Sequence, residues 1–473
     1  MDTDETYSST WLHNHLITSE KVGFSIPSSL ILSFTLFNSS CALLSIRIIF
    51  IATYCITLCI SNLPSHPTYP LSFGRGLSSN RKLNNIITTV GNMKCVVMVG
   101  DGMGDYPIEG VGRTAIEEAH TPNMDYIARR GVCGLARTLP EGMPKGSDVA
   151  NLSILGYDPR RYYTARGPIE AAGMGIPLEG RDVAFRCNLI TVADGRVADY
   201  SAGHIDTEKA RAIIEALDEE LGGEGIRFHA GLSYRHIMVC DFGDGAVCTP
   251  PHDAVGEPLK SVLPRGRGSR RLRRLIADSE DVIARCNEHL HTNATHIWPW
   301  SGGRPLTIPS FTERFGLSGA VISAVDLLKG LARCANLDFI EVEGATGNID
   351  TNYLGKGKAA VEALDDHDFV LVHVEAPDEA GHMRDIEEKI RAIEEFDEKV
   401  VGTVLDSMDE HTRALVMPDH YTPYTLGVHT DEPVPFALLK GEQDDVQAYG
   451  ERECARGSLG TVMGYELMGI LMG

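Results

Sequence analysis

The sequence is short of positive charge and has no Cys-x-x-Cys pair. Lys and Arg together number 43 against 65 Asp and Glu, which gives a formal net charge of −22 at pH 7. A nucleic-acid-binding protein needs a basic surface, so the composition argues against that class. The 11 cysteines include no Cys-x-x-Cys pair, and we therefore expect reduced thiols in a cytoplasmic protein instead of a disulfide scaffold.

Acidic residues are almost missing from the first 92 positions, which contain four of the 65. This segment includes the run CALLSIRIIFIATYCITLCI, residues 41–60, which is long enough to cross a bilayer, although Arg47 would be costly there. A secretory signal peptide fits poorly, because the run starts far from the N-terminus. Two explanations of this segment remain, a membrane anchor and an over-extended gene start. The second is favoured, with the native protein beginning at Met93, because a strand-like stretch follows that residue at once.

From Met93 onward, short apolar runs alternate with helical stretches. This pattern is typical of a largely parallel sheet covered by helices. The predicted core strands cover residues 95–99, 319–325, 368–374 and 413–418. Predicted helices include one capped by Thr121 and one over residues 385–408. The sequence thus predicts an α/β core in two parts, residues 93–177 and 311–473.

The middle of the chain, residues 178–310, has a different pattern. The stretch DVAFRCNLITVADGRVADYSAG alternates in the manner of antiparallel strands joined by a turn at ADG, and a predicted helix and another strand follow. An α+β segment inserted between two parts of a parallel-sheet core predicts a cap or lid domain. The basic run at residues 265–274 lies inside it. We interpret that run as a solvated loop and helix face in preference to a polyanion site.

Three of the predicted core strands are followed at once by acidic or imidazole side chains. Ligands bind at the carboxyl ends of the strands in an open α/β sheet, so we expect these side chains to converge. The candidates are Asp101, Asp378, His382, Asp419 and His420, with His429 a short loop away. Mixed Asp and His ligands suit Mn²⁺ or Zn²⁺ better than Ca²⁺. Six candidates exceed the needs of one tetrahedral ion, so two metal ions are predicted.

Two neighbouring metal ions suit phosphoryl transfer, which also needs a nucleophile or an acceptor. Ser147 follows Gly146 just before a predicted helix that starts at about Asp148. A hydroxyl at that position is close to free backbone N–H groups, which favour a phosphate. The alternative is a helix N-cap, which is the commonest reason for a serine at such a place. Local sequence alone favours the N-cap.

Five segments, in order along the chain, carry a resemblance to a known family. They are GDGMGD, KGSDVANLSILGYDP, YTARGPIEAAG, EAPDEAGH and MPDHYTPYTLGVHTDEPVPF. Together they resemble the archaeal-type branch of the cofactor-independent phosphoglycerate mutases, in the alkaline phosphatase superfamily. The resemblance runs from Met93 to the C-terminus and does not cover residues 1–92. It implies an alkaline-phosphatase-like α/β fold and a glycolytic and gluconeogenic isomerase that interconverts 3-phosphoglycerate and 2-phosphoglycerate without 2,3-bisphosphoglycerate.

The resemblance also implies roles for individual residues. One divalent ion, expected to be Mn²⁺ with Mg²⁺, Co²⁺ or Zn²⁺ as alternatives, is held by Asp378, His382 and His429. The second ion is held by Asp101, Ser147, Asp419 and His420. Ser147 is phosphorylated during turnover, while glycerate is retained and reoriented. The phosphorylated substrate is expected to contact Arg166, Arg186, Arg235 and His236.

Other functions share parts of this pattern. Metal-dependent phosphomonoesterases, phosphopentomutases and phosphonate hydrolases of the same superfamily share the metal ligands and differ in the cap. A non-catalytic binding protein would have lost ligands or the nucleophile, whereas all seven positions carry suitable residues. Membrane contact is expected only if residues 41–60 are expressed. Outside the ligand set, we interpret His373 as a packed histidine, and Glu375 and Glu379 as supporting or solvated groups.

Overall fold

The structure is a computed structural model that describes residues 93–473 except Glu224. The candidate membrane run at residues 41–60, and the rest of the N-terminal segment before residue 93, lie outside the described residues. Among the described residues, no helix combines the length and the apolar character needed to cross a bilayer.

Fifteen strands are present in this part of the chain. They are β1 (Lys94–Gly100), β2 (Val132–Arg137), β3 (Val183–Ala193), β4 (Arg196–Asp199), β5 (Ile226–His229), β6 (Arg235–Cys240), β7 (Ala246–Val247), β8 (Arg265–Gly266), β9 (His296–Gly303), β10 (Gly319–Ile322), β11 (Asp338–Ile340), β12 (Phe369–Val374), β13 (Thr412–Met417), β14 (Val434–Leu439) and β15 (Thr461–Met463).

Helices connect and cover these strands. The α-helices are Ala115–Glu118, Pro122–Arg130, Ser147–Ile154, Pro159–Tyr162, Arg166–Gly173, Thr207–Leu221, Leu259–Val262, Ser269–Leu290, Phe311–Phe315, Asp326–Ala335, Tyr353–Asp366, Ala376–Met383, Ile386–Phe396, Gly402–Ser407, Glu451–Cys454 and Leu467–Met472. Short 3₁₀ turns cover Pro251–Ala254 and Gly464–Glu466, and one π-helical turn covers Asp397–Val401.

The centre of the fold is an eight-stranded sheet in the order β11-β10-β12-β1-β13-β14-β2-β15. All pairs are parallel except the two made by β14, which runs antiparallel to both β13 and β2. The four predicted core strands are confirmed, although β10 ends at Ile322 and not at residue 325. The prediction did not include β14, which returns from the loop after β13 and makes the sheet mixed.

Both faces of the central sheet are buried, as expected for a sheet covered by helices on both sides. Along β1, Cys95, Val97 and Val99 contribute to one apolar layer, whereas Val96 and Met98 contribute to the other. All five side chains are fully buried. This double burial explains why the core strands read as continuous apolar runs and not as alternating ones.

A second, antiparallel sheet lies within the middle segment. Its strands follow the order β4-β3-β6-β5, and β9 also pairs with β3. The predicted turn between β3 and β4 places Asp194 and Gly195 at positive φ, 52° and 72°, as a two-residue hairpin turn requires. The arginines at the start of the helix Ser269–Leu290 are exposed, which agrees with a solvated basic face.

The predicted helix over residues 385–408 is observed as Ile386–Phe396, a π-helical turn and Gly402–Ser407. Asp397 in the π-helical turn caps a different helix. Its carboxylate accepts hydrogen bonds from the backbone N–H of Asn123 (3.1 Å) and of Met124 (2.7 Å), in the first turn of Pro122–Arg130. The predicted cap, Thr121, occupies the N-cap position but its side chain makes no capping hydrogen bond.

A buried ion pair joins the two loops that follow β1 and β13. Lys389 is fully buried, and its Nζ donates to Asp105 Oδ2 (2.8 Å) and to the backbone oxygens of Gly104 (3.1 Å) and Thr422 (2.8 Å). The ammonium group thus ties the helix Ile386–Phe396 to both loops.

We expect Asp105→Asn to destabilise the protein by about 3–5 kcal/mol, because the buried Lys389 ammonium group would lose its counter-charge. The measurement is the free energy of unfolding in urea. Asp366→Asn, at an exposed helix position, is the control and should change stability by less than about 0.5 kcal/mol. Equal stability of the two variants would contradict the assigned role of the pair.

Candidate active site

The topology places the predicted ligands at one edge of the sheet. Strands β12, β1 and β13 are adjacent and parallel, so their carboxyl ends lie side by side. Asp101 follows β1 directly, the helix Ala376–Met383 follows β12, and Asp419 comes two residues after β13. All six predicted Asp and His ligands meet there. Two groups of potential metal ligands are Asp378, His420 and His429, and Asp101, Asp419 and His420.

The first cluster consists of Asp378, His382 and His429. His382 Nε2 lies 3.2 Å from Asp378 Oδ2, and His429 Nε2 lies 3.4 Å from Asp378 Oδ1. The two histidine Nε2 atoms are only 2.9 Å apart. Asp378 and His382 are four residues apart on one helix, so the helical repeat brings them to the same face, as the sequence predicted.

The hydrogen-bond partners of these histidines fix the tautomers that we assign. His382 Nδ1 lies 2.9 Å from the backbone oxygen of Gly427, and His429 Nδ1 lies 3.2 Å from that of Lys145. A carbonyl oxygen only accepts, so each Nδ1 carries a hydrogen, and each Nε2 presents a lone pair once it has lost its proton. Two such lone pairs and a carboxylate that converge in this way repel one another unless a proton or a metal ion lies between them. The donor set fits a divalent metal ion.

The second cluster consists of Asp101, Ser147, Asp419 and His420. His420 Nε2 lies 3.1 Å from Ser147 Oγ, 3.3 Å from Asp101 Oδ1 and 3.6 Å from Asp419 Oδ2. Asp101 Oδ1 is buried and has no hydrogen-bond partner among the described residues. The rings of His420 and His429 stack with centroids 4.0 Å apart, so the two clusters adjoin. This set also fits a divalent cation.

Ser147 is the first residue of the helix Ser147–Ile154, one position earlier than predicted. The N-cap position belongs to Gly146, and no side chain caps this end of the helix. The N-cap interpretation of Ser147 is therefore wrong. Its hydroxyl is nearly buried and faces His420, next to the free N–H groups of the first helical turn.

Neighbouring residues hold the carboxylates of the second cluster. Asn151, one helical turn after Ser147, donates from Nδ2 to Asp419 Oδ2 at 2.9 Å, and the Gly102 N–H donates to Asp419 Oδ1 at 3.1 Å. Gly102 has φ +61°, and a Cβ there would lie 2.5 Å from Asp378 Oδ1. Only glycine fits this position, which brings the chain after β1 against the first cluster.

The ionisable side chains of the two clusters strongly affect one another's pKa values. Burial and the nearby Asp419 and Asp378 carboxylates raise the pKa of Asp101 well above its usual value. Burial would lower the pKa of His382, but Asp378 outweighs it and raises that pKa to about 9. Burial lowers the pKa of His420 to about 4, so this ring is neutral at pH 7 and available as a ligand. Crowded carboxylates of this kind are stabilised by a bound cation.

Three further buried residues support the second cluster. Glu375 was interpreted from the sequence as a supporting or solvated group, whereas His373 and Lys356 were not predicted to have this role. His373, on β12, lies 3.4 Å from Asp101 Oδ2 through Nε2 and 3.3 Å from Glu375 Oε1 through Nδ1. Lys356 Nζ donates to Glu375 Oε2 at 2.5 Å. His373 is packed, as interpreted from the sequence, but it also contacts a predicted ligand. No sequence motif marked Lys356, because its partner Glu375 is 19 residues away.

The predicted substrate-contacting residues line the same cavity as the clusters. This cavity has a volume of about 500 Å³. Its lining includes Asp101, Ser147, Arg166, Asp378, His382 and His429 from the core segments, and Arg186, Arg235 and His236 from the middle segment. Residues distant in sequence thus meet around one polar space of the size of a small-molecule site.

His236 is a neutral donor at the wall of this cavity. Its Nδ1 accepts a hydrogen bond from the Gly231 N–H at 3.0 Å, so the hydrogen is on Nε2, which has no partner among the described residues. Burial lowers the pKa of His236 to about 3, and Arg211 adds to the effect. At neutral pH the ring is therefore uncharged, and its Nε2–H group is buried.

Comparison with known proteins identifies the family. The Metalloenzyme superfamily matches residues 93–473. The 2,3-bisphosphoglycerate-independent phosphoglycerate mutase of Methanosarcina mazei is 49% identical over 395 residues, which cover 80% of this chain and 100% of that protein. The enzyme of the same name from Methanothrix thermoacetophila is 50% identical over 393 residues, again 80% of this chain and 100% of that protein. The chain belongs to the 2,3-bisphosphoglycerate-independent phosphoglycerate mutase family.

A solved structure supports the same assignment. The cofactor-independent phosphoglycerate mutase from Thermoplasma acidophilum superposes with a TM-score of 0.57 at 28% identity, covering 80% of this chain and 99% of that one. The family and the α/β fold predicted from the sequence are confirmed. The ligand clusters and the cavity described above therefore belong to a metalloenzyme.

We expect protons to compete with divalent ions at the first cluster. Because the pKa of His382 in the metal-free chain is about 9, an ion must displace a proton at pH 7. The apparent affinity for Mn²⁺ should rise about tenfold per pH unit from pH 7 until about pH 9 and then level off. Calorimetry in buffers of different ionisation enthalpy counts the released protons. In Asp378→Asn this pH dependence should disappear, whereas a pH-independent affinity in the unchanged chain would contradict the assignment.

Proposed function

We propose that this chain interconverts 3-phosphoglycerate and 2-phosphoglycerate through a phosphoserine at Ser147, without 2,3-bisphosphoglycerate. The observation that carries the proposal is the position of Ser147 Oγ, 3.1 Å from His420 Nε2, in a cavity that also contains three arginines. A nucleophile, a cation-binding cluster and anion-binding side chains then surround one substrate, as phosphoryl transfer requires.

Two divalent ions complete the site, with Mn²⁺ as the expected metal. Asp378, His382 and His429 would hold one. Asp101, Ser147, Asp419 and His420 would hold the other. When bound, such ions lower the pKa of a hydroxyl nucleophile and neutralise charge on the transferring oxygens. Asn151 and Gly102 keep Asp419 in place through hydrogen bonds, so the protein supplies an organised ligand set.

The reaction takes place in two transfers that use the same serine. Ser147 Oγ loses its proton and attacks the phosphorus of 3-phosphoglycerate, the bond from phosphorus to the substrate's O3 breaks, and O3 takes up a proton. Glycerate then turns within the cavity. Its O2 loses a proton and attacks the phosphorus of the phosphoserine, the bond from phosphorus to Oγ breaks, Oγ takes up a proton, and 2-phosphoglycerate leaves. Every phosphoryl group that leaves the substrate returns to it, so no external donor is consumed.

We also propose that residues 178–310 act as a cap over the core formed by residues 93–177 and 311–473. Support comes from the second sheet, which is confined to Val183–Gly303, and from the cavity, to which Arg186, Arg235 and His236 contribute. A cap that excludes water protects the phosphoserine from hydrolysis and retains glycerate. Without it the same residues would produce a phosphatase.

A cytoplasmic location is part of this proposal. All eight cysteines in the described part of the chain are free thiols, and Cys95, Cys133, Cys187, Cys240 and Cys454 are buried. Reduced cysteines of this kind are typical of proteins in a reducing compartment.

The central test follows the conversion of 3-phosphoglycerate to 2-phosphoglycerate by coupling to enolase. The full chain is stripped of metal, resupplied with Mn²⁺ and assayed without 2,3-bisphosphoglycerate. Ser147→Ala should lose more than about 10³-fold in kcat, because no phosphoenzyme can form. Ser153→Ala, a buried serine in the same helix, is the control and should retain activity. Release of phosphate without formation of 2-phosphoglycerate would contradict the mutase proposal and indicate a phosphomonoesterase.

A second variant tests retention of glycerate. Arg186→Ala should raise KM about tenfold or more through loss of a charge-assisted contact, and should increase the ratio of released phosphate to 2-phosphoglycerate. Arg181→Ala, at an exposed position of the same segment, serves as the control. An unchanged KM and an unchanged product ratio in Arg186→Ala would remove this residue from the substrate site.

A further inference from the structure

Glu170 lies between two arginines of the cavity. Its Oε1 accepts a hydrogen bond from Arg166 Nε at 2.7 Å, and its Oε2 forms an ion pair with Arg186 Nε at 3.0 Å. The Glu170 side chain is only 14% exposed and that of Arg186 only 10%. One carboxylate therefore contacts the inner nitrogen of both guanidinium groups.

The terminal nitrogens of the two guanidinium groups remain available to bind a ligand. Among the described residues, neither the terminal nitrogens of Arg166 nor those of Arg186 make a hydrogen bond to protein. Arg186 is also fixed from the side, because its guanidinium lies 4.4 Å from the ring centroid of Trp300. Trp300 in turn donates from Nε1 to Asn188 Oδ1 at 2.9 Å. The terminal nitrogens of both arginines are thus held at the cavity wall.

The net charge of Arg166, Arg186 and Glu170 suits the binding of a monoanion. Two arginines and one glutamate sum to one positive charge, and burial works against the Glu170 carboxylate while Arg186 and Arg166 hold its pKa below the usual value. The charged groups that act on Arg186 are Glu170, Arg166 and Arg235, none of which is a predicted metal ligand. A phosphate at Ser147 would lie among the metal-binding residues, so the arginine pair is suited to the second anionic group of the substrate.

We propose that Glu170 is a positioning residue that fixes Arg166 and Arg186 as a single clamp for the carboxylate of glycerate. This inference rests on the proposed function. The carboxylate is the one anionic group that 3-phosphoglycerate, glycerate and 2-phosphoglycerate share. A clamp on that group holds glycerate while its two hydroxyls exchange places at the phosphoserine. Glu170 itself touches no substrate and acts through the orientation of the two arginines.

The test compares a carboxylate ligand with a phosphate ligand. Calorimetry of the Mn²⁺-loaded full chain measures the Kd of D-glycerate, which has a carboxylate and no phosphate, and of glycerol 3-phosphate, which has a phosphate and no carboxylate. Glu170→Gln should weaken D-glycerate binding about tenfold or more, since bidentate pairing depends on the orientation of the guanidinium groups. Binding of glycerol 3-phosphate should change less than about threefold. Glu179→Gln, at an exposed position, should change neither.

A shorter carboxylate provides the second variant. Glu170→Asp keeps the charge but cannot reach both arginines, so D-glycerate binding should weaken in the same direction and by a smaller factor. The proposal would be overturned if binding of both ligands weakened equally, or if both variants bound D-glycerate with wild-type affinity. It would also be overturned if the unchanged chain did not bind D-glycerate. The enolase-coupled assay of the unchanged chain tests the function separately. Failure there, with selective loss of D-glycerate binding in Glu170→Gln, would leave a carboxylate clamp in an enzyme of another reaction.

Discussion

The structure depends on the concentration of carboxylates and imidazoles at the ends of three adjacent parallel strands. Asp101, Asp378 and Asp419 all lie there with less than a tenth of their surface exposed. Such a group is unfavourable without a counter-charge, because burial and mutual repulsion both oppose ionisation. The Nε2 atoms of His382 and His429 converge on the same space. The fold thus builds a site whose stable state includes bound cations.

Much of the surrounding structure keeps this arrangement in place. Lys389 joins the loops that follow β1 and β13, and Lys356 neutralises Glu375 behind the second cluster. Both lysines are fully buried. Each ammonium group is paired with one carboxylate, Asp105 or Glu375. These two pairs are neutral, so the net charge of the site comes from the predicted metal ligands. The buried pairs therefore serve the geometry of the site more than the total stability of the fold.

The cavity combines two kinds of anion recognition. On the core side, metal ligands and Ser147 provide for a phosphoryl group. The guanidinium groups of Arg166, Arg186 and Arg235, which also line the cavity, provide for the remainder of a small acid. Arg166 and Arg186 were predicted from the resemblance to the family as substrate contacts. In the structure each of these arginines pairs with Glu170 and also lines the cavity, because a guanidinium group can bind one partner through Nε and another through its terminal nitrogens.

The sequence alone determined the core strands, the convergence of Asp and His residues at their carboxyl ends and the family, because buried parallel strands and short local motifs are visible in one dimension. It did not determine contacts between distant residues. Strand β14, the capping of a remote helix by Asp397, the pairing of Lys356 with Glu375 and the bridge made by Glu170 all depend on which segments pack together. The tautomers of His382 and His429 depend on the carbonyl oxygens that tertiary structure places beside them. Local patterns specify elements and ligand types, whereas only three-dimensional packing decides their partners.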